Sequence, residues 1–356
     1  MKLLGLCLAL LAGGAVQARG AASAGGVASA GGVDAFDATQ PLPQGFRVLR
    51  EHFRPARPVA LAEGAVCTVP RFSGRGREAL ISWNLVLSPD SSAVIETRLA
   101  PWSDPERASA WLFVGYAGAQ PASKGQETDG WLRVDTDFVR CDEPSAWIEV
   151  RVRHLLGGPI AVERIDISLR DRLRRAATEA PPAGEWPIPA LEVPFRSQRL
   201  ATGALGSRLC SPTSVAMVLG FHGSEVATLD LARRAYDRFH DLYGNWPRNV
   251  QAARECGVEG YLTAIAHWSE AEALLARGLP LVISIAAPKG ELRGAPYART
   301  NGHLLVLKGV DARGDLLVND PAARLRGELT YRREDLTRCW LARGGTAYVL
   351  LGRASR

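Results

Sequence analysis

The chain has 356 residues, which suits two domains better than one, and 47% of them are hydrophobic, enough for substantial cores. Its 43 Lys and Arg residues only slightly outnumber its 37 Asp and Glu residues, and no dense basic block with interleaved aromatics occurs, so nucleic-acid binding is not expected. Beyond residue 20 no apolar run reaches about 18 residues, so we expect no transmembrane segment in the mature chain.

The N-terminus has the pattern of a signal peptide. Lys2 precedes an apolar stretch, Leu3 to Ala12, that is too short to cross a bilayer, and Val16-Gln17-Ala18 offers the small residues at which a signal peptidase cuts. We therefore expect residues 1–18 to be removed and the protein to be exported, either secreted or periplasmic. Residues 19–44 repeat Ala, Gly and Ser and predict a flexible spacer.

The stretch 45–170 predicts an all-β antiparallel sandwich, because segments in which apolar and polar residues alternate with period two are separated by turn residues. No catalytic constellation occurs in it, which suggests an accessory domain. Its tryptophans either pack in the core or form an aromatic platform for a sugar or a peptide. The predicted strands are 78–88, 92–99, 111–116, 131–135, 146–154 and 160–169, and the tryptophans are Trp83, Trp102, Trp111, Trp131 and Trp147.

Residues 171–190 are rich in charge and then in proline, and predict a linker to a second domain at 191–356. Helix-like and strand-like segments alternate in this second domain, which is typical of an α+β fold. The predicted helices are 211–220, 229–238, 250–256 and 269–277, and the predicted strands are 281–286, 303–310 and 315–319.

Cys210 stands directly before the first of these helices. The partial positive charge and free N–H groups of a helix N-terminus lower the pKa of a thiol there, and the backbone N–H of the same residue can help to hold an oxyanion. Cys210 is therefore a candidate nucleophile, although a cysteine before a helix can also be simply structural.

His303 opens an apolar strand that turns at Asp311 to Gly314 and returns to Asp320. If Val310 pairs with Asp315, Asp320 lies diagonally opposite His303 on the same face of the sheet. A carboxylate there can orient the imidazole and stabilise its charged form, as in a catalytic triad. The alternative is a histidine satisfied at a strand end and an aspartate that caps a turn.

The cysteine count gives a further argument. Removal of Cys7 with the signal peptide leaves five cysteines, and export permits disulfides. Two pairs, Cys67 with Cys141 and Cys256 with Cys339, would leave Cys210 as the unpaired thiol, whereas simple buried thiols are an equally good interpretation. No histidine lies at zinc spacing from these cysteines, so neither a metal nor another cofactor is expected.

Short motifs of the second domain occur in an order that resembles a known family, the bacteriocin-processing-type, papain-like cysteine peptidases (peptidase family thirty-nine), and in particular its exported members without a transporter domain. The resemblance covers about residues 190–350. It implies a papain-like α+β cysteine peptidase domain. The motifs are Val193-Pro194-Phe195-Arg196-Ser197-Gln198, Leu209-Cys210-Ser211-Pro212-Thr213-Ser214, Gly244-Asn245-Trp246-Pro247, Gly302-His303 and Asn319-Asp320-Pro321.

The resemblance also implies roles for four side chains. Cys210 would be the nucleophile, His303 the general base and acid, and Asp320 the residue that orients His303. Gln198 would donate to the oxyanion together with the Cys210 backbone N–H. This glutamine stands twelve residues before the cysteine, about twice the usual separation in the family, so the intervening segment 199–208 has to loop out.

The expected activity is hydrolysis of peptide bonds through a thioester intermediate, with a peptide or protein as substrate. Two alternatives remain open. One is an amidase or transpeptidase that acts on cell-wall peptide or isopeptide bonds with the same residues, since a papain-like fold hosts several reactions. The other is a catalytically inert protein whose β domain binds a cell-wall or surface ligand.

Overall fold

A computed structural model describes residues 48–171, 186–199 and 203–353. The predicted signal peptide, the predicted spacer and most of the predicted linker lie outside these residues. In the described ranges, no helix combines the length and the apolar character that a membrane crossing requires.

The first region is sheet-rich and antiparallel. Within the part of the chain that the structure describes, a seven-stranded sheet has the order β1-β12-β5-β10-β9-β8 with β2 also on β12, and a five-stranded sheet has the order β3-β11-β6-β7 with β4 on β11. The strands are β1 Val48–Phe53, β2 Val59–Leu61, β3 Val66–Thr68, β4 Phe72–Ser73, β5 Glu78–Leu87, β6 Ser92–Pro101, β7 Leu112–Gly118, β8 Thr128–Asp129, β9 Leu132–Asp135, β10 Phe138–Cys141, β11 Ser145–Leu156 and β12 Ile160–Arg170.

Alternation along the long strands explains the core of this region. Ile81 and Trp83 on β5 and Ile148 and Val150 on β11 belong to one hydrophobic cluster, although the two strands lie in different sheets. Side chains of successive residues point to opposite faces of a strand, so the apolar set of each sheet reaches the same core. All six predicted strands are confirmed with small changes at their ends, whereas the short strands β1 to β4, β8 and β10 were not predicted.

The second region contains an antiparallel sheet with the order β13-β18-β14-β15-β16-β17 and helices on both of its faces. One hydrophobic cluster joins the sheet to α1, α2 and α3, and another joins it to α4 and α5. The elements are α1 Cys210–Phe221, α2 Thr228–Ala235, α3 Trp246–Glu255, β13 Val258–Ala264, α4 Trp268–Ala276, β14 Leu281–Ala287, β15 Thr300–Val310, β16 Leu316–Asn319, β17 Glu328–Tyr331, α5 Arg333–Cys339 and β18 Thr346–Arg353.

The predicted helices and strands of this region correspond to α1 to α4 and β14 to β16, and are confirmed. Four elements were not predicted: β13, β17, α5 and β18. One of them, β13, is the edge strand of the sheet and packs against β5 and β12 of the first region.

Hydrogen bonds between buried polar groups join the two regions. The Asn84 side chain on β5 donates to the Gly260 carbonyl at 2.7 Å and accepts from the Gly260 N–H at 3.0 Å. The Gln251 side chain on α3 likewise accepts a hydrogen bond from the Leu85 N–H at 2.9 Å and donates one to the Leu85 carbonyl at 3.0 Å. Arg170 donates to the Gly344 carbonyl and to Thr346 Oγ1. The junction therefore resembles the interior of one folding unit, because its buried polar groups are paired across it.

The proposed disulfides are wrong, because all five described cysteines are free. Cys67 lies on β3 and Cys141 on β10, in different sheets. Cys256 packs against the cluster around α1 to α3, and Cys339 lies in the cluster on the opposite face of the sheet. The structure thus has the alternative arrangement of separate thiols, and the odd count gives no support for Cys210 as nucleophile.

Candidate active site

Cys210 is the first residue of α1 and is half-buried, while the helix behind it is buried from Ser211 to Leu219. The first N–H groups of a helix have no acceptor within it. Two backbone N–H groups, those of Ser211 on α1 and Leu304 on β15, donate to the Cys210 thiol. The sulfur therefore lies where the start of the helix meets the central strand of the sheet.

His303 lies on β15, opposite Ile285 of β14, and is 6% exposed. Its Nε2 lies 2.8 Å from Oδ1 of Asp320, which is fully buried just after the end of β16. The Cys210 side chain is hydrogen-bonded to the same imidazole. Since Nε2 is engaged by the carboxylate, Nδ1 is the nitrogen that faces the sulfur. Cysteine, histidine and aspartate thus form one continuous chain of hydrogen bonds.

The electrostatics of this chain favour a charged pair. Burial acts to raise the pKa of the Cys210 thiol, but His303 and two backbone N–H groups outweigh it and the pKa is lowered. Burial acts to lower the pKa of His303, but Asp320 and Cys210 outweigh it and the pKa is raised. Asp320 itself has a lowered pKa in spite of its burial, chiefly because of His303. The three shifts therefore all favour the charged forms, namely a thiolate, an imidazolium and a carboxylate.

The other described cysteines show what is special about Cys210. Burial raises the pKa of Cys67 and Cys256, raises that of Cys141 to about 12 and raises that of Cys339 to about 11. Only a thiolate is a strong nucleophile, so these thiols are expected to be unreactive at neutral pH. Among the described cysteines, environment distinguishes Cys210, whereas the count of thiols does not.

Two tyrosines complete the surroundings of Asp320. Tyr331 on β17 donates its hydroxyl to Oδ2 at 2.7 Å, and Tyr297, in the loop before β15, donates to the same oxygen at 3.1 Å. The Ala322 N–H donates to Oδ1 at 2.8 Å. The Tyr297 ring also meets the His303 ring edge-on, with centroids 4.9 Å apart. The carboxylate is thus fixed on both oxygens by neutral donors besides the histidine.

Neither Tyr297 nor Tyr331 was expected beside Asp320 from the sequence. The run Glu328-Leu329-Thr330-Tyr331 has strand-like composition, which could have indicated β17. The contact itself depends on β17 pairing with β16, where Tyr331 stands opposite Leu316.

Gln198 is buried, and its backbone N–H donates to the Pro321 carbonyl at 2.9 Å, directly after Asp320. The structure therefore places this glutamine next to the segment that carries the aspartate. Part of the intervening insertion, Gly203–Arg208, is a 3-10 helix that leads into α1. The insertion thus contains a helical turn of its own and does not separate Gln198 from the rest of the site.

Other residues that drew attention in the sequence have structural contacts. Trp246 starts α3 and stacks on Phe138 of the first region, with ring centroids 6.0 Å apart. The Asn245 side chain caps that helix by accepting from the Arg248 N–H. His222 bonds to the Leu350 carbonyl. The described residues contain no group of histidine, cysteine or carboxylate side chains that could hold a metal ion.

The tryptophans of the first region differ in their exposure to solvent. Trp83 and Trp147 are buried, whereas Trp102 is 53% exposed. Arginine side chains lie over Trp102, Trp111 and Trp147, at 3.8 to 5.1 Å from the ring centroids. These contacts occupy the ring faces that a platform for a sugar would need, and they favour a packing role.

The matches to known proteins fall mainly in the second region. The model of the Peptidase_C39 like family matches residues 190–348. A solved structure described as a C39-like peptidase from Bacillus anthracis has 20% identity and a TM-score of 0.37, and the match covers 48% of this chain and 100% of that chain. A double glycine motif protease from an AMS/PCAT transporter, in complex with the leader peptide, has 23% identity, a TM-score of 0.32 and coverages of 45% and 92%.

The peptidase domain of Streptococcus ComA, a bi-functional ABC transporter, has 19% identity and a TM-score of 0.30, and the match covers 41% of this chain and 93% of that chain. No curated protein matched the chain. The match to the family model supports a cysteine-type peptidase domain in the second region. Over residues 190–348 the chain is similar to the Peptidase_C39 like family.

Proposed function

We propose that the protein is an exported cysteine peptidase that hydrolyses peptide bonds with Cys210, His303 and Asp320 as its catalytic triad. The observation that carries this proposal is the position of His303, whose two ring nitrogens are engaged by the thiol and by a fully buried carboxylate 2.8 Å away. This arrangement keeps a nucleophile ionised at neutral pH and holds a proton donor beside it.

In the first half of the reaction the Cys210 thiolate attacks the carbonyl carbon of the scissile amide. The carbonyl π-electrons move to oxygen, and the resulting oxyanion accepts hydrogen bonds from the Cys210 backbone N–H and the Gln198 side chain. The imidazolium of His303 then gives its Nδ1 proton to the amide nitrogen, the C–N bond breaks, and the amine leaves. A thioester on Cys210 remains.

In the second half His303, now neutral, takes a proton from a water molecule, whose oxygen attacks the thioester carbonyl. The C–S bond breaks, the carboxylic acid leaves, and the sulfur departs as a thiolate beside the imidazolium. Asp320 stays ionised throughout and keeps the imidazole oriented by accepting from Nε2. The resting ion pair means that the proton is on His303 before substrate arrives, so no separate activation of the thiol is needed.

We further propose that residues 1–18 are a signal peptide, 19–44 a spacer, 45–170 a β-sandwich accessory domain and 171–190 a linker before the peptidase domain at 191–356. The paired sheets with a common hydrophobic cluster support the sandwich. The buried hydrogen bonds of Asn84 and Arg170 to the peptidase domain support an accessory domain that is packed firmly against it. Export would place the enzyme in the periplasm or outside the cell.

Cys210→Ala tests the nucleophile, and Cys256→Ala is a matched control because Cys256 is another half-buried thiol. The purified chain and both variants are incubated with a peptide library and, separately, with cell-wall fragments, and new termini are identified by mass spectrometry. We expect peptide cleavage by the parent and by Cys256→Ala, and none by Cys210→Ala. Cleavage confined to cell-wall fragments would replace the peptidase assignment by the amidase one, and cleavage by Cys210→Ala would overturn the nucleophile.

Iodoacetamide labelling tests the ion pair without a substrate. Cys210 should be alkylated much faster than Cys256 at neutral pH, since its pKa is lowered and that of Cys256 is raised. Tryptic mapping of the labelled chain gives both rates in one sample. Equal rates at Cys210 and Cys256 would show that the thiolate is absent and that the domain is catalytically inert.

A further inference from the structure

A groove lies where the end of β7 meets α2 and the segment that follows it, so both regions of the molecule form its walls. Its volume is about 760 Å³. None of the proposed catalytic residues lines it. Its lining contains more arginine than any other residue type: Arg233, Arg234, Arg238 and Arg248, with Tyr116, Tyr236, Tyr243 and Glu255 among the other side chains.

Arg248 lies at the base of the groove and is 8% exposed. Its guanidinium donates to the backbone carbonyls of Tyr116, Arg234 and Ala235 and stacks on the Tyr116 ring, 4.0 Å from the centroid. Among the described residues, no carboxylate forms a hydrogen bond or an ion pair with it. A guanidinium has five N–H donors, so a buried charge is left with donors to spare and no ionic partner.

The nearby carboxylates have other partners. Asp237 accepts from His240 at 2.8 Å and from Asn245 at 2.8 Å. Glu255 accepts from Arg234 at 3.4 Å and from Gln251 at 3.3 Å. Both carboxylates attract Arg248 through space, but neither forms a hydrogen bond with it.

The rim of the groove adds positive charge. Arg238 is exposed, and no carboxylate pairs with it in the described part of the chain. Arg233 is 75% exposed and pairs with Asp230 outside the groove. With Glu255 as the acidic residue of the lining, four guanidinium groups face one carboxylate. Guanidinium groups bind carboxylates in a planar, two-point geometry, and tyrosine rings give apolar area beside them.

The groove is connected to the segment that leads into the proposed nucleophile. Tyr243 lines the groove, and the Arg208 guanidinium lies over its ring, 5.2 Å from the centroid. Arg208 also pairs with Asp241 at 2.9 Å and stands two residues before Cys210. Arg208 therefore links the lining of the groove to the segment that precedes Cys210.

From these observations we infer that the groove binds an acidic stretch of the peptide substrate, remote from the scissile bond, through Arg248 at its base and Arg233 and Arg238 at its rim. The inference rests on the proposed function in taking a peptide as the substrate. Binding energy from this remote segment would select acidic substrates and hold them beside Cys210. The first region would then contribute directly to specificity, because Tyr116 on β7 forms part of the site.

The test measures binding without turnover. Fluorescence anisotropy is recorded with the full chain carrying Cys210→Ala and a short fluorescein-labelled peptide of alternating Glu and Ala, and again with its Gln-for-Glu counterpart. We expect the acidic peptide to bind about tenfold more tightly at low salt, as one charge-assisted hydrogen bond to Arg248 would produce. The preference should shrink as salt is added, because the rim is exposed.

Substitution of the exposed arginines gives a second test, because changes at exposed side chains are not expected to impair folding. Arg238→Gln and Arg233→Gln should each weaken binding of the acidic peptide by about two- to fivefold and leave the Gln peptide unaffected. Arg313→Gln is the matched control, since that arginine is 81% exposed on a turn far from the groove lining. Equal affinity for the two peptides, or equal effects of Arg238→Gln and Arg313→Gln, would overturn the inference.

A competition experiment distinguishes a phosphate ligand from an acidic peptide as the occupant of the groove. If inorganic phosphate at low millimolar concentration displaces the acidic peptide while free glutamate at the same concentration does not, the groove is a phosphate site and the acidic-peptide inference fails. The two proposals also fail separately. If Cys210→Ala still cleaved peptides, Cys210 would not be the nucleophile. The preference of the groove for the acidic peptide, and its dependence on Arg238, would still stand.

Discussion

Each of the two regions contains a His–Asp pair at hydrogen-bonding distance. In the sheet-rich region His52 Nδ1 lies 2.6 Å from Asp166, and in the peptidase domain His303 Nε2 lies 2.8 Å from Asp320. The difference is in the other partners of the carboxylate. Both oxygens of Asp166 accept from the Arg164 guanidinium, at 2.8 and 2.9 Å, whereas the further donors to Asp320 are neutral hydroxyl and backbone groups.

In the first pair the Arg164 guanidinium also binds the carboxylate that the histidine faces, so Asp166 does not act on His52 alone. In the second pair the charge of Asp320 acts on His303 alone, and the Cys210 thiolate adds a second negative group on the other side of the ring. The comparison teaches that the surroundings of the carboxylate set apart the His–Asp pair that we propose for acid–base chemistry. The distance between the two groups does not distinguish the pairs.

The largest predicted effect comes from replacing the histidine of each pair in turn. His303→Asn should lower kcat/KM on a cleavable peptide by roughly 10⁴-fold, because the thiolate loses its counter-ion and the leaving amine its proton donor. His52→Asn should leave kcat/KM within about threefold of the parent. Thermal unfolding of both variants verifies that each is folded. Comparable losses in the two variants would show that the pairs are not functionally different.

Removal of the carboxylate charge gives the next effect. Asp320→Asn should lower kcat/KM by about 10²-fold or more, since the imidazolium loses its ionic partner while the side-chain volume is kept. In the parent, activity should fall at acid pH as Cys210 is protonated and at alkaline pH, near pH 10, as His303 loses its proton. In Asp320→Asn the pKa of His303 falls, so the alkaline limb moves to lower pH.

Asp166→Asn is the control for that experiment. It removes a buried carboxylate of the same kind from the sheet-rich region, and its pH profile should match that of the parent even if the protein is less stable. A shift of the alkaline limb in Asp166→Asn, or none in Asp320→Asn, would contradict the assignment of the carboxylate that sets the histidine pKa.

The order and spacing of residues along the chain made part of this site predictable. Cys210 before a helix, and a histidine and an aspartate on two strands joined by a tight turn, have the right spacing in the sequence itself. The assumed pairing of Val310 with Asp315 was wrong, because Val310 pairs with Leu316. A bulge between Leu307 and Gly309 shifts the register by one residue, so that Val306 pairs with Asn319, the offset that had been predicted.

The remainder depended on contacts that local patterns do not encode. Tyr331 reaches Asp320 because β17 pairs with β16, and the sequence reasoning had not recognised β17 as a strand. The two predicted disulfides rested on the number of cysteines, whereas the fold places the thiols of each pair in different sheets or on opposite faces of a sheet. The buried bonds of Asn84 and Arg170 arise from the docking of two regions, which no periodicity reveals.

The tyrosines allow a finer test of how the carboxylate is held. Tyr331→Phe removes the 2.7 Å hydrogen bond to Asp320 Oδ2, and Tyr297→Phe removes the 3.1 Å one. Loss of a donor to the charged form raises the pKa of Asp320, so protonation of this carboxylate, in addition to that of Cys210, should move the acid limb of kcat/KM to higher pH. We expect a three- to tenfold loss at neutral pH, larger for Tyr331→Phe. This is less than the roughly 1.5–3 kcal/mol of a hydrogen bond to a charged group, because the other tyrosine and the Ala322 N–H still hold the carboxylate. A uniform loss at every pH would indicate a packing role instead.

The smallest effect on activity concerns the junction. Asn84→Ala leaves the Gly260 N–H and carbonyl buried without their partner, so the free energy of unfolding should fall by about 2–4 kcal/mol with little change in kcat/KM. Hydrogen exchange should then accelerate together on β11 and on β15, because the junction joins the two cores. Arg153→Gln, which breaks a 3.3 Å ion pair with Glu96 at a side chain 40% exposed, is the control and should cost under about 1 kcal/mol. If Asn84→Ala accelerated exchange on β15 alone, the sheet-rich region would be an independent unit, and the contrast between the two His–Asp pairs would be one between separate domains.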